Sequence, residues 1–312
     1  MIVLNQQQTA AALPYKPLVE ALRQAFTKGY TAPLRSMHKL DQPDGTTAVY
    51  GLMPGWAAGE VIGTKLVTVF PGNAAKGVPT VQAIIVLFDG ATDTPVGIVD
   101  GTEATYRRTA CASALAADYL ARSDATRYLI VGTGPLGVHF AGAMASVRPI
   151  KEIRVWGRNK DKAEGAAAAM ASNNPGILVT ATDDLEAAAG WADIVSTVTS
   201  SPDPVIEGAW LRPGTHLDLV GAHTPTTREC DDDAITKARV FVDVRSAALA
   251  EAGELIIPIK AGKITESHVA GDLVDLALGK VAGRQSADQK TAFKSVGHAL
   301  EDIAAAQLAL GI

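Results

Sequence analysis

The stretch Tyr128-Leu-Ile-Val-Gly132-Thr133-Gly134-Pro135-Leu136-Gly137 decides the fold of this 312-residue chain. An apolar run of strand character, YLIV, leads straight into G-x-G-x-x-G, and an Ala/Gly-rich helical pattern follows. In that context the first glycine permits a tight turn, the second lets backbone approach a pyrophosphate, and the third lets helix pack closely on strand. The helix start offers free N–H groups and the positive end of the helix dipole. A dinucleotide site at Gly132, Thr133, Gly134, Pro135, Leu136 and Gly137 is the reading.

Downstream, strand and helix patterns alternate. EIRVWG is followed by a helix from Lys160 to Ser172, then by the apolar runs ILVTA, DIVSTVTS, HLDLVGA and RVFVDV. Such alternation predicts a parallel sheet covered on both faces, of Rossmann type. The second strand of a site for NAD usually ends near an acid that binds the ribose hydroxyls. Here it ends in Gly157-Arg158-Asn159-Lys160, with two cations and no acid. A planar guanidinium suits a 2′-phosphate, so the expected cofactor is NADPH, with NADH possible.

Upstream, Pro17 opens a helical pattern with Leu18, Val19, Leu22 and Phe26 on one face and Gly29 at its end. Residues 46–52, 60–70, 81–88 and 95–99 read as strands of one sheet, and an Ala-dense helix follows from about Thr102 to Arg122. The fold class expected is therefore α/β, a Rossmann-type parallel-sheet domain at residues 121–290 beside an α+β domain. The α+β domain takes residues 1–120, with 291–312 returning to it, and Thr291–Leu310 reads as one helix.

Composition excludes several classes. Hydrophobic residues make up 47% and charged residues 20%, which excludes a disordered chain. The net charge of −5, without a basic run, argues against a nucleic-acid partner. No apolar run reaches the roughly 18 residues of a membrane span, and the N-terminus lacks a secretory pattern. Two cysteines, Cys111 and Cys230, make no disulfide framework or zinc spacing, so a cytoplasmic setting without a metal is expected. Asp231-Asp232-Asp233 reads as a helix start rather than a metal cluster. Cys111 reads as a small buried residue.

Lys65 stands in the otherwise apolar strand GTKLVTVFPGN, and Arg108 stands near the start of the Ala-rich helix in RRTACASALAA. Burying either is costly without an anion, so each either faces an anionic ligand or pairs with carboxylates of the protein.

These stretches resemble the ornithine cyclodeaminase/μ-crystallin family over nearly the whole chain. The resemblance rests on Arg35 before His38, GTKLVTVFPGN, GVPT, RRTACASALAA, GTGPLG, GAHTPTTRE and SVGHALEDIAAA. It implies an NAD(P)-dependent homodimer, with a substrate-binding and dimerisation domain beside the Rossmann domain and the active site in the cleft between them. By similarity Arg35, Lys65, Thr80 and Arg108 surround the substrate, Arg35 and Arg108 hold its carboxylate, and Lys65 is a carboxylate anchor or proton donor. Val296 and Gly297 close the pocket, and the segment Ser196–Ser200, with Thr197, Val198 and Thr199, approaches the nicotinamide.

The family is functionally mixed. Its ornithine cyclodeaminases carry a catalytic Asp in the loop where this chain has Gly221-Ala222-His223-Thr224-Pro225. An imidazole, neutral or cationic, does not replace a carboxylate beside a cationic amine. The family's ketimine reductases lack that Asp and carry a Pro and an Arg-Glu pair, as TPTTRE does. The resemblance thus implies NADPH-dependent reduction of a small cyclic imino acid, with Lys65 or His223 as proton donor. A cyclodeaminase or alanine-type dehydrogenase, and a non-catalytic NADPH-binding crystallin-like protein, are the alternatives. Glu229 either pairs with Arg228 or orients His223.

Overall fold

The computed structural model describes the chain from Met1 to Ile312, with the side chain of Ala74 outside the description. The chain begins β1 (Ile2–Leu4), α1 (Gln6–Ala12), α2 (Tyr15–Lys28), β2 (Ser36–Asp41), β3 (Thr47–Ala57), β4 (Val61–Val69), β5 (Val81–Asp89), β6 (Pro95–Asp100) and α3 (Gly101–Leu120). It continues β7 (Arg127–Val131), α4 (Pro135–Ala145), β8 (Glu152–Trp156), α5 (Lys160–Asn173), β9 (Leu178–Thr182), α6 (Leu185–Trp191), β10 (Ile194–Thr197) and β11 (His216–Leu219). Last come α7 (Asp232–Thr236), β12 (Arg239–Val242), α8 (Arg245–Glu251), α9 (Gly253–Lys260), β13 (Val269–Asp272), α10 (Leu273–Ala277), β14 (Thr291–Lys294) and α11 (Ala299–Leu310). Two compact units result, one of Met1–Thr109 with His298–Ile312, the other of Ala110–Gly297.

The first unit is built on a six-stranded sheet, ordered β1-β6-β5-β4-β3-β2. Strands β2 to β6 pair antiparallel in sequence, and β1 joins parallel to β6. Alternation along β4 and β5 turns Gly63, Lys65, Ile85 and Leu87 inward and Ile62, Ile84 and Phe88 outward. The apolar face of α2, from Leu18 to Phe26, is buried, and Gly29 ends the helix at φ +77°. Helix α2 opens at Tyr15, two residues before Pro17, because Pro17 has no need of an intrahelical N–H partner in the first turn.

Helix α11 lies close on the inner sheet face because glycines make room for it. A Cβ on Gly63 would come within 2.9 Å of Ile303 Cγ1, and one on Gly55 within 2.8 Å of Ile303 Cδ1. This seat brings the first turn of α11 onto the strand that carries Lys65.

The second unit is an eight-stranded sheet, ordered β13-β12-β14-β11-β10-β7-β8-β9, in which every pairing is parallel. The strand order reverses between β7 and β10, the position at which open α/β sheets bind ligands. The fold is thus the expected α/β class, a Rossmann-type parallel sheet plus an α+β unit. One expectation fails: Thr291–Leu310 is not one helix. Its first four residues form β14, between β11 and β12, with Ala292 and Phe293 fully buried. A short apolar run has no period that separates strand from helix, and two strands flanking it supplied the ladder partners. Gly297, at φ +80°, then separates the strand from α11.

Behind the sheet, Asp218 on β11 accepts hydrogen bonds from Ser113 Oγ (2.9 Å) and Ser196 Oγ (2.6 Å), and Tyr128 donates to the same Ser196 oxygen at 2.8 Å. Burial raises the Asp218 carboxyl to about 7, against the pull of its two serines. The folded protein therefore binds a proton that the unfolded chain has already lost. Stability from this group is full below about pH 4, falls as pH rises, and levels off above pH 7. Asp218→Asn removes the titration. Urea unfolding should show the variant gaining about 2–3 kcal/mol relative to the parent between pH 5 and pH 8. A constant difference across that range would contradict the assignment.

Candidate active site

The second unit carries the glycine turn. Gly132 adopts φ +138°, and a Cβ there would press within 2.7 Å of Val198 O. Gly134 is the N-cap of α4, has no side-chain cap, and its missing Cβ faces open space, with nothing within 4 Å. Pro135 opens the helix, and a Cβ on Gly137 would lie 3.3 Å from Gly132 O. The three glycines thus stand as turn, open approach and close packing, and this geometry fits a pyrophosphate on uncapped helix N–H groups.

Gly157 lies against this turn, since a Cβ there would meet Thr133 Cγ2 at 2.4 Å. Arg158, Asn159 and Lys160 are exposed at the C-terminal end of β8. Asn159 caps α5 by accepting from Lys162 N at 2.9 Å. Arg158 and Lys160 make no hydrogen bond or ion pair with the described residues, so both cations face outward.

A buried carboxylate organises the neighbouring strand ends. Glu229 is fully buried and accepts from Thr197 Oγ1 (2.8 Å), Thr199 N (2.7 Å), Thr199 Oγ1 (2.8 Å) and Gly221 N (2.6 Å). Glu229 does not pair with Arg228. Arg228 pairs instead with Asp232, at 2.5 Å, and Glu229 ties the end of β10 to the loop after β11. The hydroxyls of Thr197 and Thr199 are turned onto this carboxylate, and Val198 N donates to Val131 O at 2.9 Å.

His223 lies exposed on that loop, its Nδ1 3.2 Å from Gly221 O. Beneath it, the buried Lys294 of β14 donates to Ala222 O at 2.5 Å and lies 3.3 Å from Glu254 Oε2. Burial raises the Glu254 carboxyl despite Lys294 beside it. The backbone N–H groups of Val296 and Gly297 each donate to Asp243 Oδ2 at 2.7 Å, which fixes this corner of the chain. Asp231 caps α7, accepting from Ala234 N at 2.9 Å, as a helix start requires.

The first unit brings Lys65 and Arg108 together. Both are buried, at 3% and 5% exposure, a placement that demands negative partners. Lys65 Nζ lies 2.9 Å from Asp302 Oδ1 and 2.8 Å from Oδ2. Arg108 directs Nε to Asp302 Oδ1 at 2.9 Å and Nη1 to Glu301 Oε2 at 2.5 Å. The anion that the two buried cations call for is thus supplied within the chain, by the first turn of α11. Burial lowers the Lys65 ammonium to about 8, and Asp302 keeps it from falling further. Asp302 stays below the ordinary carboxylate range, since Arg108 and Lys65 outweigh its burial.

Arg35 is half-buried just before β2, and Thr80, just before β5, accepts from Phe70 N through its carbonyl at 2.8 Å. Asp302 and Glu301 escaped the sequence reading. Their signal was two adjacent acids in ALEDIAAAQLAL, a helix apolar on all sides, where a carboxylate needs a cation.

The family model of the ornithine cyclodeaminase/mu-crystallin family matches residues 3–310, and the chain belongs to that family. A Delta(1)-pyrroline-2-carboxylate reductase of Paracoccus denitrificans is 40% identical over 96% of this chain and 93% of its own length. One from Colwellia psychrerythraea is 36% identical over 98% of this chain and 97% of its own. The solved structure of the Thermococcus litoralis enzyme of that name, in complex with NADH and L-proline, superposes with a TM-score of 0.94 at 32% identity. It covers 100% of this chain and 97% of that one.

Proposed function

We propose that this chain is an NADPH-dependent ketimine reductase. It reduces a cyclic imine 2-carboxylate, Δ1-pyrroline-2-carboxylate or Δ1-piperideine-2-carboxylate, to L-proline or L-pipecolate. The observation that carries the reading is that Lys65 and Arg108 lie buried side by side on Asp302, where they would serve as proton source and carboxylate anchor. The names of the Paracoccus, Colwellia and Thermococcus relatives support it.

Arg35 and Arg108 would hold the substrate carboxylate. Two of the five N–H donors of Arg108 point at Asp302 and Glu301, and a guanidinium has others for a ligand. Lys65, at about 8, holds its proton at neutral pH yet releases it readily, as a general acid should. Protonation of the imine nitrogen makes the C=N carbon electrophilic. The reduced nicotinamide, when bound, supplies the hydride. Gly132 to Gly137 would hold the pyrophosphate, and Arg158 with Lys160 a 2′-phosphate. His223, in place of the cyclodeaminase Asp, leaves no loop carboxylate at that position for an amine.

The test is oxidation of the reduced cofactor at 340 nm with each cyclic imine, NADPH and NADH in parallel. Turnover favouring NADPH is expected. No turnover with either imine, together with ammonia release from L-ornithine and NAD, would replace this reading with a cyclodeaminase.

A homodimer is part of the proposal. The outward sheet face of the first unit carries Trp56, Ile62 and Phe88 in one cross-strand row, with Ile84 nearby, all more than a third exposed. Apolar rows of this kind mark association surfaces. Ile62→Lys should turn a dimer into a monomer in sedimentation with the fold intact by circular dichroism; an unchanged mass would rule this face out. A cytoplasmic setting is supported by two buried cysteines that form no disulfide. No helix among the described residues is long and apolar enough to cross a membrane.

A further inference from the structure

Glu301 and Asp302 occupy the first turn of α11 and are fully buried. A helix N-terminus favours negative charge, but two adjacent carboxylates without water also require cations. They do not share the cations equally. Glu301 receives Arg108 Nη1. Asp302 receives Arg108 Nε on Oδ1 and brackets Lys65 Nζ between its two oxygens. Asp302 is therefore the hinge of the cluster, and Gly55 and Gly63 hold α11 close enough for it to reach β4.

We propose that Asp302 is the positioning residue of this site: its carboxylate clamps the Lys65 ammonium and the Arg108 guanidinium side by side, so that proton source and carboxylate anchor keep one fixed geometry. The catalytic consequence rests on Lys65 being the proton donor. The charged groups facing Lys65 are Asp302 and Glu301 from α11 and Arg108 from α3. Asp302 is the largest influence that keeps the ammonium protonated, against burial and the Arg108 charge.

The test uses the full chain with 13C-labelled lysine, the Lys65 Cε signal being assigned by its loss in Lys65→Arg. In Asp302→Asn the titration midpoint of Lys65 should fall by at least about one pH unit, the usual effect of losing an adjacent opposite charge. The alkaline limb of the kcat profile should fall with it. The variant should then lose about fivefold or more at pH 8 and recover most of that at pH 6. A carboxylate with a merely structural role would depress the rate equally at every pH and leave the midpoint in place. An unmoved midpoint overturns the proposal. A midpoint that moves while the rate profile does not leaves the clamp standing and removes Lys65 as donor. Asp302→Glu, which keeps the charge on a longer arm, covers the case in which the Asn variant does not fold. Its midpoint should stay near the parent's while kcat drops, and a fall in the midpoint with unchanged kcat overturns the clamp.

Discussion

Lys65→Met should lower kcat/KM for Δ1-pyrroline-2-carboxylate by about 10²–10⁴-fold, the contribution of a positioned general acid. Methionine keeps the length and fills the same buried place on β4, while Asp302 retains Arg108 as a partner. Loss of the fold is therefore not the expected cause, and unchanged affinity for NADPH checks this. The parent's activity should decline above about pH 8, where the Lys65 ammonium gives up its proton, and the residual activity of the variant should lack that limb. The two roles open to Lys65 separate in the kinetics. A proton donor shows its loss in kcat, whereas a pure carboxylate anchor shows it in KM. A variant within threefold of the parent in both constants would remove Lys65 from the mechanism.

Arg158→Asp should reverse the cofactor preference. A charge-assisted contact to a 2′-phosphate contributes about 1.5–3 kcal/mol, so its loss alone lowers the NADPH-to-NADH ratio of kcat/KM by about 10–100-fold. The new carboxylate repels the phosphate and accepts from the ribose hydroxyls of NADH, so a change of about 100-fold or more is expected. Arg158 is exposed and makes no ion pair or hydrogen bond with the described residues, which leaves stability unaffected. The measurement is kcat/KM with each cofactor at saturating imine. An unchanged ratio would assign the exposed cations to solvation and return the cofactor question to NADH, the cofactor in the solved Thermococcus litoralis structure.

The glycine turn, the strand before it, the helix after it and the helix from Tyr15 to Lys28 were legible because their signals are local. A positive φ at Gly132 or Gly29, and an apolar repeat along β4 or α2, depend on residues within one or two turns of chain. Likewise the three aspartates at 231–233 open a helix, because a cap and the first-turn dipole act over three residues. Lys65 and Arg108 were visible as oddities, a cation in an apolar strand and another on a small-residue helix. Their partners were not visible, since Asp302 lies 237 residues from Lys65 and 194 from Arg108. No spacing rule reaches that far. The pairing exists because Gly55 and Gly63 let α11 settle on the sheet. Burial then forced each charge to find its opposite.

The same division explains β14 and Glu229. Four residues, Thr291–Lys294, carry too short a pattern to declare a strand, and only the open ladder between β11 and β12 made them one. Glu229 left its sequence neighbour Arg228 to Asp232. The folded sheet presented it with two threonine hydroxyls and two backbone N–H groups that would otherwise be buried without acceptors. Residue order dictated the elements and the dinucleotide turn, through short-range hydrogen bonding and side-chain period. The charge pairs that set the Lys65 proton, and the carboxylate that ties the strand ends, were decided by packing, which alone determines which distant groups leave water together.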